Sequence, residues 1–246
     1  MQHKESNIRA ALGLKNRYVF ITGASRGIGF AIAEVFAKNG YNLLITSRSE
    51  VGLYKAMETL QTTYPLVDIK AKAFDISIKE QAIACGHWCL TEAVPTVVVN
   101  NAGGFEPGAV FNEPDGLLER QMATNLYSAY HLTRAVLPPM LERKSGHIFN
   151  ICSIASLGAY GGAYSISKFA LHGFSKNLRE ELKLHQIKVT AVFPGAVMTD
   201  SWGNFDNSQQ RIMEATDIAK MVYAAAQLSP AACVEDIIMR PTLGDL

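Results

Sequence analysis

Between Tyr18 and Gly40 the chain admits few architectures. Tyr18-Val19-Phe20-Ile21 is an apolar run of strand formers, and Thr22-Gly23-Ala24-Ser25-Arg26-Gly27-Ile28-Gly29 follows at once. A helical pattern (FAIAEVFAKN) then runs to Asn39, with Gly40 as its C-terminal stop. Glycines at 23, 27 and 29 let backbone approach a pyrophosphate closely, and the helix start aims free N–H groups and positive dipole at it. Glycines also end strands and cap helices in folds that bind nothing, so the pattern alone is weak. The strand before it and the helix after it supply the context such a motif requires.

The same alternation continues. Strands are predicted at 42–47, 68–74, 97–99, 147–152, 188–193 and 234–239, with helices at 50–63, 77–91, 117–137, 163–185 and 217–227. No repeat or low-complexity linker interrupts them. This pattern predicts an α/β fold: a single doubly wound (Rossmann-type) domain over residues 17–246 with a mostly or wholly parallel seven-stranded sheet. Residues 1–16 form an N-terminal extension, frayed or briefly helical. The ligand crevice belongs at the carboxyl ends of the strands, where the turn at 23–29, the loop at 101–104, Ser153 and the loop at 194–199 all fall.

With 23 Lys and Arg against 22 Asp and Glu, the net charge of +1 argues against nucleic acid or an anionic membrane as partner. No apolar run reaches a membrane span, and the polar start has no signal-peptide core, so a cytoplasmic protein is expected. Four cysteines are too few for a disulfide framework. Cys85 and Cys89 flank His87, but two cysteines make an incomplete metal site; core packing explains them better and no metal is expected.

Strand two ends in Ser47-Arg48, where such folds read the adenosine ribose. An acid there would accept from a 2′-hydroxyl, whereas an arginine suits a 2′-phosphate. No acid stands at 47 or 48, and Arg26 adds a second guanidinium nearby, so NADPH (or NADP) is favoured over NAD. Glu50 is placed to pair with Arg48 and blunt the effect. Asp75, with Ile76, ends strand three, either accepting from an adenine amino group or capping the next helix. Asn100-Asn101-Ala102-Gly103-Gly104 ends a buried strand; its amides are expected to tie strands together first and to face cofactor second. Asn125 sits inside a helix, where Asn usually needs a reason such as a bound water or a displaced ladder bond.

Tyr164 and Lys168 lie one turn apart on a single helix face. A fixed cation a few ångströms away favours the phenolate, so a Tyr so placed can exchange a proton with an alcohol or carbonyl oxygen. Alone, the pair would more often be two snorkelling side chains. Its company decides.

Together these motifs resemble the short-chain dehydrogenase/reductase family: Thr22-Gly-x-x-x-Gly-x-Gly29, Asn100-Asn-Ala-Gly103, Asn125, Ser153, Tyr164-x-x-x-Lys168 and Pro194-Gly195, in the family's order. The resemblance implies a catalytic set of Asn125, Ser153, Tyr164 and Lys168. Tyr164 would be the acid in reduction, Ser153 would bond the substrate oxygen, Lys168 would hold the nicotinamide ribose, and Asn125 would support a water linking Lys168 to solvent. The cofactor set is Gly23, Ser25, Arg26, Gly27, Ile28, Gly29, Arg48, Asp75, Ile76, Asn101, Ala102, Gly103, Tyr164, Lys168, Pro194, Gly195, Val197 and Thr199, with Thr199 on the carboxamide. A homodimer or homotetramer is implied as well.

Eleven positions separate Ser153 from Tyr164, fewer than the family pattern leads one to expect, which leaves Ser153 and Ser156 as donors, Ser153 preferred because it directly follows its strand. Residues 196–214 are read as the lid, and Trp202 and Phe205 offer flat faces to an aromatic carbonyl compound. Ser201-Trp202-Gly203 and an ending without paired glycines are more similar to bacterial relatives of sepiapterin reductase than to 3-oxoacyl carrier-protein reductases. Asp245 is read as a solvent-facing chain end in preference to a substrate anchor. The expected activity is NADPH-dependent reduction of a small carbonyl compound, pterin-type or aromatic ketones being candidates. A 3-oxoacyl thioester reductase and a non-catalytic NADP(H)-binding sensor are the alternatives; the sensor's mark would be loss of Tyr164 or Lys168, and both are present.

Overall fold

The computed structural model describes residues 17–106, 108–159, 161–199, 202–203 and 205–245. The extension at 1–16 and the lid residues Asp200, Ser201 and Asn204 lie outside the described residues. Seven strands form one sheet: β1 (Tyr18–Thr22), β2 (Asn42–Thr46), β3 (Ile69–Ala71), β4 (Val97–Asn100), β5 (Gly146–Ile151), β6 (Ile187–Pro194) and β9 (Asp236–Met239). Their order is β3-β2-β1-β4-β5-β6-β9 and every pairing is parallel. The direction of strand order reverses between β1 and β4, which opens a crevice at their carboxyl ends.

Alternation along each strand assigns its side chains to two cores. Val19, Ile21, Leu43, Ile45, Val97 and Val99 face helices α1 (Gly27–Lys38), α2 (Glu50–Thr63) and α7 (Ala215–Ala226). Phe20, Leu44, Val98, Ile148 and Val189 face α3 (Lys79–Glu92), α5 (Ser128–Arg143) and α6 (Gly162–Leu182). The five inner strands are thus buried on both sides, as crossover helices on both faces require, while the edge strands β3 and β9 are covered less fully.

Several expected elements differ at their ends. β3 is three residues long because it is the sheet edge, with no neighbour beyond it. The helix expected to end at Leu137 continues through Pro138 and Pro139 to Arg143. Pro removes the ladder donor, but Met140, fully buried directly after Pro139, anchors the continuation, and Arg143 Nη2 donates to Pro95 O at 2.7 Å. That helix also opens as α4 (Leu117–Met122), passes through a π turn at Ala123–Tyr127 and only then becomes α5. Two short strands that carry no alternation signal, β7 (Val197–Met198) and β8 (Met213–Glu214), pair in parallel and close the base of the lid segment.

Cys85 and Cys89 are fully buried in the second core while His87 on the same helix is exposed, so the three side chains do not converge. Burial pushes the Cys85 thiol up to about 12 and the Cys89 thiol higher still. Among the described residues no helix is long and apolar enough to cross a membrane.

His147, at the far end of the sheet from the crevice, makes the fold acid-sensitive. Thr190 gives its hydroxyl proton to Val234 O, so His147 Nε2 donates to Thr190 Oγ1 at 2.7 Å, and Nδ1 is left bare and buried. Burial first and Lys188 second push its protonation down to about 3. The folded value is depressed, so below about pH 6.5 the unfolded chain takes up a proton that the folded chain refuses. Stability is therefore intact above that pH and falls by about 1.4 kcal/mol per unit below it. Urea titrations at pH 6.5 and 4.5 are expected to show His147→Gln losing about 2–3 kcal/mol less than the wild type; equal losses would acquit His147.

Candidate active site

The crevice is built from loops that each leave the carboxyl end of a strand. One half, about 710 Å³, is lined by Arg26, Gly27, Ile28, Gly103, Ser153, Tyr164, Lys168, Pro194, Gly195, Val197, Thr199 and Trp202, among others. The other, about 650 Å³, adds Gly23, Ser25, Asp75, Ile76 and Ala102, and both halves share Arg48, Asn101 and Thr199. Such a volume suits a bound dinucleotide with room for a small second molecule.

The glycine turn is shaped for close approach. Gly23 has φ +65° and Gly27 φ +57°, a region in which side chains strain the backbone. Gly29 does not line the crevice. A Cβ there would collide with Gly23 O and Asn101 Nδ2, so Gly29 lets α1 pack against the turn and the neighbouring loop. Asn101 holds that loop: its Nδ2 donates to Thr22 O at 2.9 Å, and Thr22 Oγ1 accepts from Asn101 N and Ala102 N at 3.0 and 2.9 Å. Behind it, Asn100 Nδ2 donates to Asn150 Oδ1 and Thr133 Oγ1, and Asn150 Nδ2 to Ser175 Oγ, tying β4, β5, α5 and α6 together. Amides here do join neighbouring elements.

Two expectations for the adenosine half need correction. Asp75 is not a helix cap: its Oδ1 accepts from Ser77 N and Ser77 Oγ in a tight turn, and α3 starts only at Lys79, after Ile78. Among the described residues no ion pair joins Arg48 to Glu50, because Glu50 starts α2 on the other side of the turn that Ser49 caps through Gly52 N. Phe74, Ser47 and Ser49 also line this half. The place of Phe74, at the end of strand three beside Asp75, was the signal that could have found it.

In the other half, α6 presents Tyr164 and Lys168 to the crevice one turn apart. Lys168, 5% exposed, donates from Nζ to Ile151 O at 3.0 Å, with Nζ 5.9 Å from the centre of the Tyr164 ring. That backbone bond fixes the ammonium beneath the phenol. Ser153 lines the crevice and accepts from Ala155 N at 3.1 Å, whereas Ser156 is buried behind it. Of the two serines, only Ser153 reaches the cavity.

Asn125 lies behind the wall, in the π turn. Its Oδ1 accepts from Gly104 N at 2.9 Å, and its Nδ2 is within bonding distance of Gly104 O, Gln121 Oε1 and Ser167 Oγ. These bonds are the reason an Asn sits inside this helix; the widened turn lets the side chain reach across to the β4–α4 connection. Asn125 Oδ1 and Lys168 Nζ approach Gly103 from two sides, 2.9 and 3.3 Å from where a Cβ would stand. A single water beside Gly103 could bridge them.

Phe105 lines the same half, half exposed and edge-on to the Tyr164 ring with centroids 4.8 Å apart. Only its loop position marked it in sequence. Trp202 faces the crevice; Phe205 packs on Trp202 with centroids 5.3 Å apart and does not line the cavity. Asp245 is not a solvated chain end. It pairs with Arg240, its Oδ1 is buried against Gly195, and Arg211 donates to Gly244 O and Asp245 O, which pins the tail behind the 194–195 loop.

Fold and site together place the chain in a family: residues 17–210 match the short chain dehydrogenase model, and the protein belongs to that family. Among named relatives, the sepiapterin reductase of Chlorobaculum tepidum is 33% identical over 239 residues, covering 93% of this chain and 97% of that protein. The 3-oxoacyl (acyl-carrier-protein) reductase of Chlamydia muridarum is 31% identical over 217 residues, covering 85% of each. A metagenomic short-chain oxidoreductase crystallised with NADP superimposes with a TM-score of 0.81 at 31% identity, over 93% of this chain and 98% of that one.

Proposed function

We propose that this protein reduces a small carbonyl compound to an alcohol with NADPH, Tyr164 serving as general acid. The observation that carries the reading is the convergence of Ser153, Tyr164 and Lys168 on one wall of a crevice whose other end holds the glycine turn and Arg48. The residues fit the cofactor: close-approach glycines suit a pyrophosphate, Arg48 with Ser49 suits a 2′-phosphate, and Thr199 borders both halves. NADP in the related metagenomic structure supports the same choice.

Bound NADPH would supply a hydride to the carbonyl carbon. As negative charge grows on the oxygen, Ser153 and Tyr164 hydroxyls donate to it from a partly dry wall. Tyr164 then gives up its proton, and the ammonium of Lys168, held by Ile151 O, stabilises the phenolate left behind. Asn125 keeps Gly104 and the β4–α4 connection in place and offers Oδ1 toward a water that would return the proton from solvent.

Trp202 and Phe105 give the substrate half two aromatic surfaces, which favours a pterin-type or aromatic ketone over an aliphatic thioester. The expected result is NADPH oxidation with sepiapterin or 1-phenyl-1,2-propanedione, and little with an acetoacetyl thioester. The reverse preference would instead assign a 3-oxoacyl thioester reductase, and tight NADPH binding without turnover of any of these would favour the sensor. Trp202→Ala is expected to raise KM for the aromatic ketone about tenfold with kcat changed less than threefold, as loss of one aromatic contact predicts; an unchanged KM would remove Trp202 from the substrate wall. Exposed Tyr127 and Tyr130 near the start of α5, with Ile166 and Phe169 on α6, support assembly as a homodimer or homotetramer.

A further inference from the structure

Helix α6 begins without a cap of its own. Its N-cap is Gly161, which has no side chain to offer, and its first turn contains no acid. The N–H groups at such a start lack intrahelical partners, and the aligned peptides leave partial positive charge there. The missing acceptor arrives from fifty residues upstream: Glu113 Oε1 accepts from Ala163 N at 2.8 Å.

The contact is shaped from both sides. A side chain at Gly162 would collide with the Glu113 carboxylate, and a Cβ on Gly108 would meet Glu113 Cγ at 2.6 Å. Absence of side chains at 108 and 162 therefore leaves room for one carboxylate against the helix start. The connection between β4 and α4 that carries Glu113 also carries Phe105, whose ring lies edge-on to Tyr164. One loop thus meets Tyr164 at its ring and, one residue away, at its backbone. The short path from Ser153 to Tyr164, rich in glycine, has few side chains with which to do the same.

We propose that Glu113 is a positioning residue for Tyr164. Its carboxylate caps α6 from outside and fixes the phenol opposite Ser153. The proposal rests on the reading of Tyr164 as the acid, and it assigns the effect to the hydrogen bond on Ala163 N, which an amide oxygen can also accept.

The test compares Glu113→Ala and Glu113→Gln, each saturated with NADPH, by amide exchange over residues 162–164 and by kcat on 1-phenyl-1,2-propanedione. In Glu113→Ala, exchange is expected to quicken at least tenfold and kcat to fall about tenfold, with NADPH affinity within twofold; Glu113→Gln is expected to restore both to within threefold of wild type. Unchanged exchange in Glu113→Ala, wild-type kcat in that variant, or equal impairment of both variants would overturn the proposal. Gly108→Ala supplies an independent route, since its Cβ displaces the carboxylate. It is expected to reproduce the Glu113→Ala loss and add nothing to it in the double variant, and additive losses count against the cap. Tyr164→Phe, run alongside, separates the two ideas. Retained activity there removes the acid itself, whereas a dead Tyr164→Phe beside an unaffected Glu113→Ala removes only the positioning role.

Discussion

Tyr164→Phe is expected to lower turnover by at least about a thousandfold while NADPH affinity stays within a few-fold. The substitution removes one oxygen and leaves the ring, so the edge contact with Phe105 and the place of the ring above Lys168 survive. What disappears is the proton donor and one of two hydrogen bonds to the developing oxyanion. A positioned general acid contributes roughly 10²–10⁴ in rate, and an oxyanion donor about 10²–10³, though the two terms overlap when one hydroxyl supplies both. Ser153 remains and accounts for a residue of activity. Single-turnover NADPH oxidation at saturating ketone measures the loss directly, separate from product release. A decrease below tenfold would mean that another group supplies the proton.

Much of this site was legible because its residues follow strands. An apolar run ending in Asn100-Asn101 or Ile151-Cys152-Ser153 states both that a parallel strand is buried and that the next residue stands at the sheet's carboxyl edge. The all-parallel seven-stranded sheet and the place of Ser153 follow from that rule, whereas Tyr164 and Lys168 were read from their spacing on one helix face and from the family resemblance. Contacts that depend on the third dimension were harder. Asn125 announced an irregular helix without revealing that the irregularity is a π turn bonded to Gly104. Gly29 carried the same letter as Gly23, yet it serves helix packing, because the neighbour it must clear, Asn101, comes from a loop beyond residue 100. Glu113 and Phe105 lie in a connection without periodicity, and their partners lie fifty or more residues away. The β7–β8 pair is two residues long, too short for alternation to register. Pro138 and Pro139 spoke for a helix end that the burial of Met140 overrides.

Arg48→Asp is expected to shift the preference between NADPH and NADH by about 10²–10³-fold toward NADH. Arg48 stands at the first exposed position after β2 and lines both halves of the crevice, with Ser47 and Ser49 beside it. With no ion pair to Glu50, its guanidinium is not neutralised at that side, so its charge is available to a 2′-phosphate. A charge-assisted hydrogen bond of this kind contributes about 1.5–3 kcal/mol, which corresponds to a loss of roughly 10–150-fold in NADPH affinity. The introduced carboxylate adds repulsion toward the phosphate dianion and an acceptor for the 2′- and 3′-hydroxyls of NADH, so the two affinities move in opposite directions. Ser47 Oγ, which donates to Ser49 O at 3.1 Å, holds the turn independently of Arg48, and the fold should tolerate the change. The measurement is kcat/KM for each cofactor at fixed ketone, with salt varied. Electrostatic recognition predicts that the wild-type preference for NADPH and the variant's preference for NADH both shrink as ionic strength rises, one by screening of attraction and the other by screening of repulsion. An unaltered ratio would place the 2′-phosphate on Arg26 alone, at the start of α1, and would make Arg48 a bystander at the rim.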